Sequence, residues 1–293
     1  MTENKTRREK DSLGEREVPA ESYYGIQTLR ARENFPVSGL PNHPRLIQAY
    51  AIIKKSAALA NMEVGWLAED IGRAIVEAAE AVIEGKFADQ FVVDRFQAGA
   101  GTSTNMNLNE VIANRALEIF GRPRGTYDVI SPNDHVNMAQ STNDTFPTAM
   151  HIAVYRMTLA LMASLKHLEN TFYKKGEAFA DVLKPGRTHL QDAMPVTLGR
   201  EFSAYGAALA RHARSLARRS EYLLDLPLGG TATGTGINSH PEYRKRAVSH
   251  IAAVTGISFR PNPSMHEAMQ STTRIVALSS SYKELAVDLS RIA

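Results

Sequence analysis

The sequence predicts a mainly α-helical protein, with a mixed but mostly helical N-terminal part followed by a bundle of long helices. Three observations carry that prediction. Apolar residues recur at helical spacing through much of the chain. Beyond residue 141 the helical stretches lengthen, short Gly/Pro-rich turns join them, and strand signals almost vanish. Near the end, Ile275, Leu278, Tyr282, Leu285, Leu289 and Ile292 follow one another at spacings of 3, 4, 3, 4 and 3, a heptad-like apolar seam.

Taken in order, residues 1–20 are polar and are expected to be poorly ordered at their start. Tyr23-Tyr24-Gly25 through Phe35-Pro36 mixes aromatics, Gly and Pro, and suggests a packed, irregular segment. From Arg45 to Gly65, Leu46, Ile53, Ala57, Ala60 and Val64 mark one helix, and Glu69 to Gly85 fits a second. Val92-Val93 suggests a short strand. Residues 105–120 form a third helix, closed by Gly121 and Pro123. Long helices then fit 147–180, 197–225 and 241–255. The expected division is an N-terminal domain over 1–141 and a helix bundle over 142–293. The apolar seam runs to the penultimate residue with no capping Gly and no Pro. The chain is therefore expected to be a piece of a longer polypeptide, its bundle incomplete on the C-terminal side.

Composition narrows the partners. Of 293 residues, 43% are hydrophobic and 22% charged, ordinary proportions for a globular protein. The net charge of +3, from 34 basic and 31 acidic residues, is too small and too evenly spread to suggest nucleic acid or a membrane surface. There are no cysteines, which removes disulfides, thiolate metal sites and cysteine nucleophiles and fits a reducing compartment. Met1 to Gly14 is charged and has no apolar signal core, and no uninterrupted apolar stretch approaches the roughly 20 residues of a membrane span. These features imply a soluble, cytoplasmic protein.

Three polar segments stand out against the helices. In Gly99-Ala-Gly-Thr-Ser-Thr-Asn-Met-Asn107, two glycines permit unusual dihedrals, and Thr102, Ser103 and Thr104 gather hydroxyls and amides where a helix begins. Such a terminus attracts anions, although simple N-capping explains this segment alone as well. Ser131-Pro-Asn-Asp-His-Val-Asn137 leads into Gln140-Ser-Thr-Asn-Asp144, where carboxamides and hydroxyls outnumber the Lys and Glu of an ordinary surface loop. Ser141 or Thr142 can cap the following helix, with Pro147 in its first turn. In Gly186-Arg-Thr-His-Leu-Gln-Asp192, His189 is the natural acid/base or hydrogen-bonding candidate. Gly234-Thr-Gly236 lacks the third Gly of a dinucleotide fingerprint, and the nine histidines show no metal-ligand pairing. Arg211, Arg214, Arg218 and Arg219 form a basic stripe best read as a solvated or subunit-facing surface.

In this order and spacing the three segments resemble the aspartase/fumarase superfamily, from about Leu13 to the end of the chain. Residues 17–31, Lys54 to Gly65, Ser131-Pro-Asn-Asp-His-Val-Asn137 and Gln140-Ser-Thr-Asn-Asp144 resemble its aspartase branch, with Ser131 to His135 and Ser141-Thr142 the deciding positions. Class II fumarases resemble the chain at Thr145 to Ala153 and Gly186 to His189. They usually carry His-Pro-Asn-Asp-Asp and a double serine at the two deciding positions. The resemblance implies reversible elimination of ammonia from L-aspartate to give fumarate, with fumarate hydration or a non-catalytic truncated relative as alternatives. It implies that Thr102, Ser141 and Thr142 hold the β-carboxylate, Thr188 the α-carboxylate, and Asn143 and His189 the amino group, with His189 and Thr102 as the catalytic pair. No metal or organic cofactor is implied as a requirement, although some members respond to divalent cations. The family's base, a serine on a Gly-Ser-Ser loop followed by Lys and Asn, has no counterpart before Ala293. The implied assembly is a homotetramer acting on a small dicarboxylate, with no nucleic acid and no membrane.

Overall fold

The computed structural model describes residues 5–99 and 101–293, and the expectation for the first few residues falls outside them. The chain opens with strands β1 (Thr6–Asp11) and β2 (Gly14–Pro19), then helices α1 (Ile26–Asn34), α2 (Pro44–Glu63), α3 (Glu69–Ile83) and α4 (Thr102–Ile119). The long α5 (Thr142–Ala178) follows, then strands β3 (Leu183–Thr188) and β4 (Gln191–Thr197), and α6 (Leu198–Ser220). Last come β5 (Asp225–Leu226), α7 (Tyr243–Thr255), β6 (Arg260–Pro261), α8 (Met265–Gln270) and α9 (Thr273–Ile292). The fold is mainly α, as the periodicity predicts. Two compact units arise, residues 1–153 with 224–271, and residues 154–223 with 272–293.

In the first unit α2 is the central helix, packing on α3, α4 and α7. Tyr50, Ile53, Ala57 and Ala60 are fully enclosed, and their small alanines let neighbouring helices approach closely. Ile75 and Val82 of α3, Leu108 and Ile112 of α4, and Val248 and Ile251 of α7 complete this core, and each such side chain contributes about 1.5–3 kcal/mol by leaving water. The segment expected to be irregular before residue 36 contains α1. Its N-terminus is held from a distance, because the amides of Gly25, Gln27 and Thr28 donate to the carboxylate of Glu110 at 2.9, 2.8 and 3.0 Å. Burial raises the pKa of that carboxylate, against the pull of the same donors. The amide of Ile26 donates to Glu9 at 2.8 Å. β1 and β2 pair antiparallel from Thr6↔Pro19 to Asp11↔Gly14. Val92-Val93 is not a strand; the nearest pairing is an isolated bridge between Pro41 and Asp94.

In the second unit a leucine seam joins α6 to α9. Leu209, Leu216 and Leu223 recur every seven residues and meet Leu278 and Leu285, with Leu165 of α5 in the same cluster. Ile275, Tyr282 and Leu289 flank it half-buried, so the predicted heptad side of α9 is the side that packs. His212 Nε2 and Asp288 Oδ2 lie 2.7 Å apart beside this seam. β3 and β4 form an antiparallel hairpin, which corrects the expectation of helices and turns alone beyond residue 141. Among the described residues α5 is long enough to cross a membrane, with a mean hydropathy of 1.2 over one window. Some of its apolar side chains pack inside the protein, as at Ala149 and Ile152 in the first unit and Leu165 in the second, whereas Met157 and Leu159 are exposed.

Candidate functional site

The site is built around the first turn of α5. Ser141 is the cap: its Oγ accepts from the amide of Asn143 at 3.2 Å, and its own amide donates to Asp144 Oδ1 at 3.0 Å. This reciprocal arrangement fixes the start of the helix. Pro147 lies in the second turn rather than the first. Having no N–H, it leaves the Asn143 carbonyl without its helical donor, and it locks the local backbone. The exposed Asn143 donates from Nδ2 to the carbonyl of Ala232 at 2.8 Å.

Beneath this turn lies a buried cation. Lys54 of α2 is fully enclosed. Its Nζ donates to Asn105 Oδ1 at 2.7 Å, Asn137 Oδ1 at 2.9 Å and Gln140 Oε1 at 2.9 Å, so all three protons of an ammonium are used. Asn105 Nδ2 in turn donates to Asn137 Oδ1 at 3.1 Å and Thr142 Oγ1 at 3.2 Å. The site's carboxamides are thus wired to one point charge.

A buried anion sits on the other side of the same turn. Asp144 is fully enclosed and accepts, besides Ser141, the amides of Gly229 at 3.0 Å and Thr231 at 2.9 Å. Burial pushes its carboxyl up to about 7, opposed by those amides and by the Lys54 charge. Burial pulls the Lys54 ammonium down to about 7, opposed by Asp144. Each charge opposes the shift that burial imposes on the other. By holding Gly229 and Thr231, Asp144 also fixes the loop that follows Leu228. Thr231 has φ +54°, an outlier for a β-branched residue, and its buried hydroxyl has no hydrogen-bond partner.

Between the α5 turn and this loop opens a cleft of about 380 Å³. Asn105, Asn137, Gln140, Ser141, Thr142, Thr231 and Asn238 supply its polar lining, and Met106, Ala139, Ala232 and Ile237 its apolar part. Ser141 and Thr142, adjacent in sequence, both line it. Thr102 is exposed in the first turn of α4, the helix that carries Asn105, but it is not among the residues lining the cleft. Gly101 (φ +86°) precedes it, and a Cβ there would overlap the ring of Phe146. Gly101, not a hydroxyl, occupies the cap of α4. Ser131 and Asp134 bond to each other in a tight turn, where the Ser131 Oγ donates to Asp134 at 2.8 Å. Among the described residues no three His, Asp or Glu side chains converge as a metal site requires.

Thr188 and His189 belong to the second unit. His189 and Leu190 form the two-residue turn between β3 and β4, both exposed and both with positive φ, +51° and +60°. Such turns favour Gly and Asn, so a His and a Leu there store backbone strain. Lys54 was not singled out by the sequence, although a signal existed. It occupies an apolar stripe with Tyr50, Ala51, Ala57 and Ala58, where a surface lysine does not belong.

Residues 14–293 match the lyase family. The chain belongs to this family, within the aspartase/fumarase superfamily. The chain is 52% identical to an aspartate ammonia-lyase of a Bacillus species over 97% of its length, and 49% identical to that of Bacillus subtilis. It covers 61% of the first relative and 60% of the second, about three fifths of their lengths. A fumarate lyase/delta crystallin from Brucella melitensis bound to cobalt superposes with a TM-score of 0.95 at 47% identity, over 98% of this chain and 63% of that one. A class II fumarase from Schistosoma mansoni gives 0.93 at 34% identity, over 98% and 64%. The mainly α fold of this chain is that of the superfamily, and the family's matched span includes every site residue named above.

Proposed function

We propose that the protein catalyses the reversible elimination of ammonia from L-aspartate to give fumarate. The observation that carries this reading is the cleft at the start of α5, lined by Ser141 and Thr142 at the helix N-terminus, with a buried lysine beneath it. The names and identities of the aspartate ammonia-lyases quoted above support it. The difficult step is removal of a weakly acidic Cβ proton beside an ionised carboxylate. The resulting dianionic enediolate needs preorganised donors at the place where its charge develops. Thr102, Ser141 and Thr142 would supply these to the β-carboxylate, Thr188 to the α-carboxylate, and Asn143 and His189 would orient the departing amino group. His189 and Thr102 are the catalytic residues of this proposal. The base would be a serine on a Gly-Ser-Ser segment, which these 293 residues do not contain.

In this reading residues 1–141 form the lyase domain and 142–293 part of a helix bundle shared in a cytoplasmic homotetramer. No cofactor is required, and divalent cations act as activators only. The test is to supply L-aspartate to the full-length protein, Gly-Ser-Ser segment included, and follow fumarate by its ultraviolet absorbance together with released ammonia. Both should appear in equal amounts. Thr102→Ala or His189→Ala should lower the rate by about 10²–10³-fold, the scale of a lost transition-state donor. Hydration of fumarate to malate without turnover of aspartate would replace this reading with a fumarase.

A further inference from the structure

An ammonium can only donate, and that constraint has a consequence two bonds away. Because Lys54 Nζ is 2.7 Å from Asn105 Oδ1, the Asn105 carboxamide must present its oxygen to α2 and its NH₂ outward. That NH₂ meets Thr142 Oγ1 at 3.2 Å. The Thr142 hydroxyl accepts there, which leaves its own proton as a donor for whatever occupies the cleft it lines. The other two partners reinforce the orientation. Asn137 Nδ2 donates to the Gln140 carbonyl at 3.3 Å, and Gln140 Nε2 to the carbonyls of Val136 and Met138, both at 3.1 Å. Neither amide can turn over without setting a donor against a donor.

We infer that Lys54 is a positioning residue that sets the hydrogen-bond polarity of the cleft: it acts through Asn105 to make Thr142 a donor toward a carboxylate. The inference rests on the proposed reading of this cleft as a carboxylate site. It separates two roles that burial alone would merge. A lysine kept only for packing would affect stability, whereas a lysine that orients Asn105 affects binding through Thr142.

The experiment measures the Kd of succinate by calorimetry on the full chain, for wild type, Lys54→Met, Asn105→Ala, Thr142→Val and the pairwise doubles. Lys54→Met and Asn105→Ala should each weaken binding about tenfold, the scale of one hydrogen bond to a charged group. In the Thr142→Val background the same changes should cost less than about threefold, because the relay already has no output. A ¹⁵N–¹H signature accompanies this. The Asn105 side-chain amide, identified by its loss in Asn105→Ala, should give an ordered pair in the ligand-free wild type and lose it in Lys54→Met. If Lys54→Met does not fold, Asn105→Ala with and without Thr142→Val carries the same comparison. Full additivity of the doubles, or wild-type binding unchanged in Asn105→Ala, overturns the inference and leaves the carboxylate reading standing. No succinate binding by the wild type overturns that reading, and the inference with it.

Discussion

Removing the acceptor at Asp144 probes how the site is held together. Its carboxylate is fully enclosed and receives three backbone amides, from Ser141 at Oδ1 and from Gly229 and Thr231 at Oδ2. Asp144→Ala leaves all three donors buried, and each unsatisfied donor costs about 1–3 kcal/mol. The full sum is reduced because the carboxylate's own desolvation disappears and water can enter the space left. A net loss of roughly 3–5 kcal/mol is expected, within the exceptional tail of single substitutions. Asp144→Asn keeps one oxygen, enough for the Gly229 and Thr231 pair, and turns an NH₂ against the Ser141 amide. Its cost should be smaller, about 1–3 kcal/mol. Guanidinium unfolding followed by circular dichroism measures both. Limited proteolysis of the 229–238 loop, where Thr231 is held at φ +54°, should show earlier cleavage in Asp144→Ala. Equal losses in the two variants would mean that charge rather than acceptor geometry matters. A loss below about 1 kcal/mol in Asp144→Ala would refute the account of the loop altogether.

Two further substitutions test neighbouring features. Gly101→Ala adds a methyl where the Phe146 ring lies and demands φ +86° of an L-residue, so it should destabilise by about 2 kcal/mol or more, and an unchanged thermal midpoint would contradict the packing described. Asp94 is subject to desolvation, which would raise its pKa, but the amides of Phe96, Ser38 and Gly39 and the Ser38 hydroxyl outweigh that and hold it near 2. Its folded pKa thus lies below the unfolded value of about 3.9, so its contribution is present above pH 4 and is lost as pH falls from about 4 to about 2. Asp94→Asn should flatten the decline in stability over that window, and parallel curves for variant and wild type would argue against it.

What the sequence made legible follows from periodicity. α3, α6, α7 and the seam of α9 bury one side each and the central α2 is enclosed on most of its surface, and their apolar spacing gave them away. The two hairpins were invisible for the opposite reason. β3–β4 has no enclosed side, with Leu183, Leu190 and Met194 at 71%, 91% and 74% exposure, so no alternation marks its strands. β1–β2 buries little beyond Glu9 and Val18. α1 lacked a local cap signal because its acceptors, Glu9 and Glu110, come from 17 and 85 residues away. Pairings of that kind belong to the tertiary structure, and no window of sequence contains them. The Lys54 network fails to show for the same reason, its partners lying 51, 83 and 86 residues downstream.

One ambiguity in the sequence dissolves at the level of single atoms. Ser141 and Thr142 can be read as helix caps or as ligand donors, and residue types alone do not decide between them. A hydroxyl, however, has two acceptor lone pairs and one proton. Ser141 Oγ accepts from the Asn143 amide and Thr142 Oγ1 accepts from Asn105 Nδ2, so both oxygens are engaged in holding structure. Neither interaction consumes a hydroxyl proton. The cap at Ser141 and the Asn105 contact at Thr142 thus fix both oxygens while leaving their protons unused in these bonds, at a helix terminus whose macrodipole favours negative charge. Holding structure and offering a donor are therefore compatible in the same two hydroxyls, which is why a segment dense in short hydroxyls and carboxamides at a helix start supports both readings at once.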